Sequence, residues 1–225
     1  MADGSALKMN NHPMITRIRV DYSKGEALRF TGHLDLQRLW ERLLRRTRLP
    51  IRHSQGYHPR PRLNLASALP LGFISDAELL DFWMDESLSL AEIQTRLTNT
   101  APPGLIIHSV VEVDLSEDSL QSQMIASEYE IHFFDDQEEQ LLSKQIDILM
   151  SADEIKRERR KKTYDLRPLI LYMEVIHSKK GGIVLRMRLK AEPNATGRPD
   201  EVLDQLGFAN TEYLVRRTKL ILGER

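Results

Sequence analysis

The sequence predicts an α+β fold made of two tandem ferredoxin-like (βαββαβ) domains. Three observations carry that expectation. Residues 15–22 and 128–134 alternate apolar and polar side chains, as half-buried strands do. A helical pattern follows each of them. The order strand, helix, strand, strand, helix, strand is then completed twice, on either side of a polar segment at 115–127. The expected organisation is a tag or disordered arm at 1–13, a first domain at 14–114, a linker at 115–127 and a second domain at 128–225.

In the first half, Lys24-Gly25 suits a turn, and Leu28 to Phe30 continues the sheet. Thr31 is the expected N-cap of a helix reaching about Thr47, with Leu36, Leu39, Trp40, Leu43 and Leu44 on its apolar face. Arg38, Arg42 and Arg45 stack on another face at i, i+4 and i+7. Pro50 ends the helix, and Gly56, Pro59 and Pro61 make residues 51–68 a looped limb. Glu78 to Met84 reads as a strand, Ser89 and Glu92 as a capping box, and Leu105 to Val113 as a β-branched strand. In the second half, residues 135–138 start a helix with Leu141, Leu142, Gln145, Ile148 and Leu149 along it. Residues 155–164, 169–176 and 183–189 are extended, and Pro199 opens a short helix that Gly207 closes. Tyr213 to Leu222 is the last strand.

Charge is balanced in total, with 32 Lys plus Arg against 33 Asp plus Glu, but it is segregated along the chain. Residues 29–62 hold nine Arg against Asp35 and Glu41. The acid-rich stretch 76–154 has Arg96 and Lys144 as its only bases. Residues 155–190 hold twelve bases and three acids. Such blocks point to steering fields or phosphate-tracking surfaces. The absence of Cys excludes disulfides, catalytic thiolates and Cys-ligated zinc or iron–sulfur sites within these residues. No apolar run approaches the roughly 20 residues that span a bilayer, so a cytoplasmic protein without a membrane partner is expected.

The densest chemistry lies in Phe30-Thr-Gly-His33, in residues 49–62 and in Ala66 to Gly72. A loop containing Ser54, Gly56, Tyr57, His58, Arg60 and Arg62 offers backbone N–H groups, guanidinium forks and a stacking ring to a phosphate-bearing ligand. His33 and Asp35 open the first helix, where free N–H groups favour an anion. His33, His53 and His58 are candidates for acid–base work near neutral pH, and none stands in a metal-ligand spacing, so neither metal nor cofactor is expected.

His33-Leu-Asp-Leu-x-Arg38, Arg42, the Leu-Pro-Ile-x-x-Ser-Gln-Gly-Tyr-His-Pro-x-Pro run and the Ala-x-x-Leu-Pro-x-Gly run resemble the radical SAM-linked protein family. In the second half, Lys161-Lys162-Thr163-Tyr164-Asp165-Leu166-Arg167 is similar to that family's Asp-Leu-Arg signature. The resemblance spans about residues 15–222. It implies a bacterial domain fused to, or encoded beside, a B12-binding radical SAM protein, in the genomic company of ribonuclease G and ribosomal-protein genes. The cluster motif itself is absent, so radical chemistry belongs to a partner polypeptide.

The expected function is therefore a non-catalytic, RNA-binding accessory role beside a radical SAM partner, in RNA or ribosome metabolism. The expected RNA or phosphate contacts are His33, Arg38, Arg42, Arg45, Ser54, Gly56, Tyr57, His58, Arg60, Arg62, Arg160, Lys161, Lys162, Asp165 and Arg167. Two alternatives stand beside it. One is an adaptor that docks a radical SAM enzyme or a ribosome. The other is a metal-independent RNA endonuclease of tandem ferredoxin-like type, with His33 as general base.

Overall fold

The computed structural model describes residues 15–159, 161–178 and 181–223. The arm expected at 1–13 lies outside the described residues, as does Arg160. The fold is mixed α+β, with one large sheet and few helices.

Strand β1 (Thr16–Lys24) buries Ile18, Val20 and Tyr22 on one face and sends Arg17, Arg19 and Asp21 to the other. A 3-10 turn at Glu26–Leu28 replaces the expected continuation of the sheet. Thr31 donates its amide to Leu28 O (2.8 Å), and Gly32 rather than Thr31 becomes the residue before helix α1 (His33–Thr47). Leu36, Trp40, Leu43 and Leu44 of α1 are buried, and Arg38, Arg42, Arg45 and Arg46 are exposed. Strands β2 (Leu63–Leu65) and β3 (Ile74–Met84), helix α2 (Leu90–Thr100) and strand β4 (Leu105–Val113) complete the first half. Ser89 Oγ accepts the Glu92 amide (3.3 Å), which fixes the start of α2.

Helix α3 (Leu120–Gln123) and the start of strand β5 (Met124–Phe133) fall within the segment read as a linker. Arg17 anchors the segment by donating to Glu117 O (2.6 Å) and Asp118 O (2.8 Å). Leu120 and Met124 pack with Ala66 and Ala191 in a small cluster beneath α3.

In the second half come helix α4 (Glu139–Ser151), strands β6 (Lys156–Arg159), β7 (Lys162–Asp165), β8 (Ile170–His177), β9 (Ile183–Glu192) and β10 (Ala195–Thr196), helix α5 (Pro199–Gln205) and strand β11 (Tyr213–Leu222). The core stripe of α4 is Leu142, Ile146 and Leu149, at i, i+4 and i+7. Leu141 and Ile148, placed along the helix with Leu142 and Leu149, are exposed, because both lie one position off that stripe. Pro199 is in the first turn of α5, and Gly207 follows its C-terminus at φ +91°, a conformation that glycine adopts without a Cβ penalty.

Among the described residues the strands form a nine-stranded sheet and a separate β6–β7 hairpin. In the first half the pairing order is β4-β1-β3-β2, and in the second it is β11-β5-β9-β8. The halves join where β11 lies parallel to β3, with Arg216 opposite Ile74 and Arg217 opposite Ser75. Each half has its own apolar core, around Trp40, Phe82 and Leu97 in one and Ile131, Leu142 and Met187 in the other. Leu69 and Phe73 cross the seam, packing into the second-half core. No helix of the described residues is long and apolar enough to cross a membrane.

Candidate functional site

The expected first-half contact residues separate into three places. On α1, Arg38 pairs with Asp35 (3.2 Å) and Arg45 with Glu41 (3.6 Å). Arg42 and Arg46 are exposed with no carboxylate within 4.0 Å among the described residues. Arg42 donates only to Arg38 O (3.3 Å), one helical turn back.

The second place is the loop at 52–62. Main-chain bonds from Arg52 N to Trp83 O (2.7 Å), Arg62 N to Arg52 O (2.8 Å) and Ser54 N to Arg60 O (2.8 Å) hold its base as a narrow two-stranded limb. Ser54 Oγ accepts the Arg60 amide (3.1 Å), so its role is to close the loop. Gly56 at φ +152° makes the tip. Tyr57 is 94% exposed, edge-on to His58 with ring centroids 4.8 Å apart. Arg62 stacks on Trp83 at 4.3 Å, which orients it without a carboxylate. Arg60 likewise has no acidic partner among the described residues. Unpaired guanidinium groups and an exposed ring on a braced loop are the parts of a phosphate-and-base contact surface.

The third place is the seam. A cavity of about 570 Å³ lies between the halves, lined by His33 at the start of α1, Ser67 to Leu71, Tyr129, Arg159 and residues 196–199. At the same seam Arg217 and Glu78, both buried, form a bidentate pair, with Nε donating to Oε1 (2.8 Å) and Nη2 to Oε2 (2.6 Å). Burial works against the Arg217 charge, but Glu78 and Tyr129 outweigh it and hold the guanidinium above its ordinary value. Lys24 Nζ is buried nearby, donating to Phe73 O (2.9 Å) and Arg29 O (3.2 Å), and burial pulls it down to about 8. Burial also lowers His33, opposed by Glu78 and helped by Arg217, which favours its neutral imidazole. Its Nδ1 is buried with no hydrogen-bond partner among the described residues.

The expected second-half residues divide. Lys161, at φ +65°, and Lys162 are exposed at the turn of the β6–β7 hairpin. Lys162, Tyr164 and Asp165 line a neighbouring cavity of about 560 Å³ that shares Arg159 and Thr196 with the first. Asp165 Oδ1 accepts the amides of Ile155 (2.8 Å) and Arg167 (3.0 Å). Arg167 donates to Met150 O (2.8 and 3.1 Å) and Ile170 O (3.0 Å), clamping the end of α4 to β8. Both are thus engaged in holding the chain.

Tyr129, Arg198 and the Arg217–Glu78 pair are seam residues that the sequence reading passed over. Arg198 and Tyr129 are far apart in the chain, and no spacing signals that they meet. Among the described residues, no three His, Asp or Glu side chains stand together as metal ligands.

A model of the family described as "uncharacterized protein conserved in bacteria (DUF2344)" matches residues 17–199. No curated protein matches the chain. Among solved structures it is similar to a chain of a Cbf5–Nop10–Gar1 complex, at 13% identity and TM-score 0.45, covering 91% of this chain and 48% of that one. It is similar also to a chain of an H/ACA RNP bound to a substrate RNA containing 2′-deoxyuridine (14%, TM-score 0.44, 91% and 47%). A third is from an archaeal box H/ACA sRNP Nop10–Cbf5 complex (14%, TM-score 0.43, 92% and 48%). The chain spans about half the length of these three chains.

Proposed function

The chain belongs to the bacterial DUF2344 family, and from that premise we propose that it is an RNA-binding accessory protein that itself carries no catalytic step. One observation carries the reading: Arg42, Arg46, Arg60 and Arg62 are exposed and have no carboxylate partner among the described residues. Unpaired arginines, two of them on the loop that carries the exposed Tyr57, suit a backbone of phosphates with unstacked bases, which single-stranded RNA presents and a folded acidic protein does not. The loop's tight main-chain bracing supports the same reading, since a preorganised contact loses less entropy on binding.

Two further parts of the reading rest on other support. The matching strand orders β4-β1-β3-β2 and β11-β5-β9-β8 favour tandem ferredoxin-like units at 14–114 and 128–225, bridged by 115–127. The resemblance of His33 to Gly72 and of residues 161–167 to radical SAM-linked proteins favours a cytoplasmic radical SAM partner in RNA or ribosome metabolism.

The test is fluorescence anisotropy with a single-stranded RNA and a DNA of the same sequence, over a salt series. Binding to RNA with a salt slope of about 0.7 per phosphate contact is expected. Arg42→Ala, Arg46→Ala and Arg60→Ala combined should lower both affinity and slope. Preference for the DNA, or an unchanged slope in the triple variant, sinks the proposal.

A further inference from the structure

The cavity at the seam is lined by two unlike sets of residues. One set is Arg159 and Arg198, from the β6–β7 hairpin and the entry to α5. Asp200 accepts from Nε (3.0 Å) and Nη2 (2.7 Å) of Arg198, which fixes the guanidinium plane and leaves Nη1 without a bond among the described residues. Arg159 reaches Glu201 only at 3.9 Å, and none of its donors makes a hydrogen bond to that carboxylate. The other set is apolar: Leu69, Pro70, Leu71 and Pro199, with Leu71 63% exposed. Gly72, next to Leu71, exchanges hydrogen bonds with Arg29: its amide donates to Arg29 O (3.1 Å) and its carbonyl accepts from Arg29 Nε (3.0 Å). That lock sets the Leu71 segment against the loop that carries Phe30, 75% exposed and beneath the Arg29 guanidinium at 5.3 Å.

About 570 Å³ is within the range of small-molecule sites, which are largely apolar with a few convergent polar groups. A ligand that fits both sets carries an anion that accepts from guanidinium forks and a flat ring that packs on aliphatic carbon. The orphaned Nδ1 of His33, on the same lining residue, adds a buried polar atom that lacks a protein partner.

We infer that the seam cavity binds one phosphorylated nucleotide unit, with its phosphate on Arg159 and Arg198 and its base against Leu69, Leu71 and Pro199. The unit is either a free nucleotide or an unpaired nucleotide within an RNA; only the second source rests on the RNA-binding reading above. The neighbouring cavity, which shares Arg159 and Thr196 and presents Lys162 and Asn194, gives a following phosphate a place to run.

The experiment is calorimetric titration of the full chain with uridine 5′-monophosphate, adenosine 5′-monophosphate, uridine and inorganic phosphate. At least one nucleotide should bind saturably and about tenfold or more tighter than uridine or phosphate alone, a difference of about 1.4 kcal/mol. Arg159→Ala should weaken it about tenfold by removing one charged contact. Leu71→Trp should abolish it by filling the cavity, and both side chains are exposed enough to change without unfolding the protein, which near-UV circular dichroism checks. Arg42→Ala/Arg60→Ala should leave nucleotide binding unchanged. Nucleotides that bind no tighter than phosphate, or equally well to both cavity variants, overturn the inference. Competition by a single-stranded oligoribonucleotide assigns the site to an RNA-borne nucleotide, and lack of competition assigns it to a free one. Nucleotide binding without RNA binding overturns the RNA reading alone, and RNA binding without nucleotide binding overturns the cavity alone.

Discussion

The two basic stretches of this chain are alike in sequence and unlike in the folded protein. In the second, Arg186 bonds Glu130 (2.9 Å) and Glu174 (3.0 Å), and Arg188 bonds Glu128 (2.5 Å). Arg157 bonds Asp204, and Lys190 pairs with Glu192 (3.0 Å). The β5–β9 register sets Glu128 opposite Arg188 and Glu130 opposite Arg186, so these two acids of the acid-rich stretch are spent on cross-strand pairing. In the first stretch, the helix and loop place Arg42, Arg46, Arg60 and Arg62 outward and away from acids. Local charge density is therefore a poor guide to a polyanion surface. What counts is whether a neighbouring strand has already supplied the counter-charge.

The sharpest contrast is between Arg217, a buried and fully paired arginine outside both stretches, and Arg42, an exposed one with no carboxylate partner among the described residues. Replacing Arg217 by Met strands Glu78 as an unpaired buried carboxylate and should cost about 3–5 kcal/mol in urea unfolding. Arg42→Ala should stay within about 0.5 kcal/mol. The double variant Arg217→Met/Glu78→Leu should recover much of the loss, because it removes the stranded charge. A single Arg217→Met change without measurable destabilisation would break the comparison.

Lys24 tests the intermediate case, a buried cation that meets carbonyls instead of a carboxylate hydrogen bond. Its folded value is about 8, against 10.5 for the ordinary side chain. Between those values the unfolded chain binds more protons than the folded one, so the Lys24 contribution to stability increases as pH rises through that window. The full gain is on the order of 3 kcal/mol at 1.36 kcal/mol per pKa unit. Lys24→Met should flatten this component in denaturation curves collected from pH 7.5 to about 10.5; equal pH dependence in the two proteins counts against it.

Next in size is the effect on RNA. Removing three unpaired arginines, Arg42, Arg46 and Arg60, should reduce the salt slope by about 2, at about 0.7 per contact. Arg186→Ala/Arg188→Ala removes two charges of the same sign from the paired stretch and should leave the slope unchanged. Equal losses from both sets would show that pairing on the sheet does not decide which arginines are available.

Much of the scaffold was legible from the chain. Alternation marked β1 and most of β5, Ser89 marked the start of α2, and Pro199 and Gly207 bracketed α5. The apolar face of α4 was read too broadly: Leu142 and Leu149 are on it, but Leu141 and Ile148 flank it at a spacing that looks equally apolar. The packing of Leu142, Ile146 and Leu149 against the second-half core distinguishes them. Asp165 and Arg167 looked like ligand contacts because charged residues stand out in a short motif. Their bonds to Ile155, Met150 and Ile170 depend on where α4 ends in space. The seam was least legible. Tyr129, Arg198 and Arg217 sit within ordinary strand and cap patterns, and they converge only because β11 pairs with β3 across about 140 residues. His33 and Leu69 to Leu71 were visible as a motif, without any sign of what they face.

The smallest effect separates the exposed loop from the arginines around it. Tyr57 is almost fully exposed, and its ring contact among the described residues is with His58, so no buried packing holds it at the tip. Large exposed rings without a packing partner serve contact, and stacking of one base on such a ring is worth about 1–3 kcal/mol. Tyr57→Ser should therefore weaken binding of a single-stranded RNA by about tenfold or somewhat more, while leaving the unfolding midpoint and the salt slope as they were. Tyr57→Phe should bind like the parent, because the stacking surface and not the hydroxyl carries the effect. A fall in the salt slope with Tyr57→Ser would mean that the ring positions Arg60 or Arg62 on phosphate, and a loss in Tyr57→Phe as well would assign the contact to the hydroxyl.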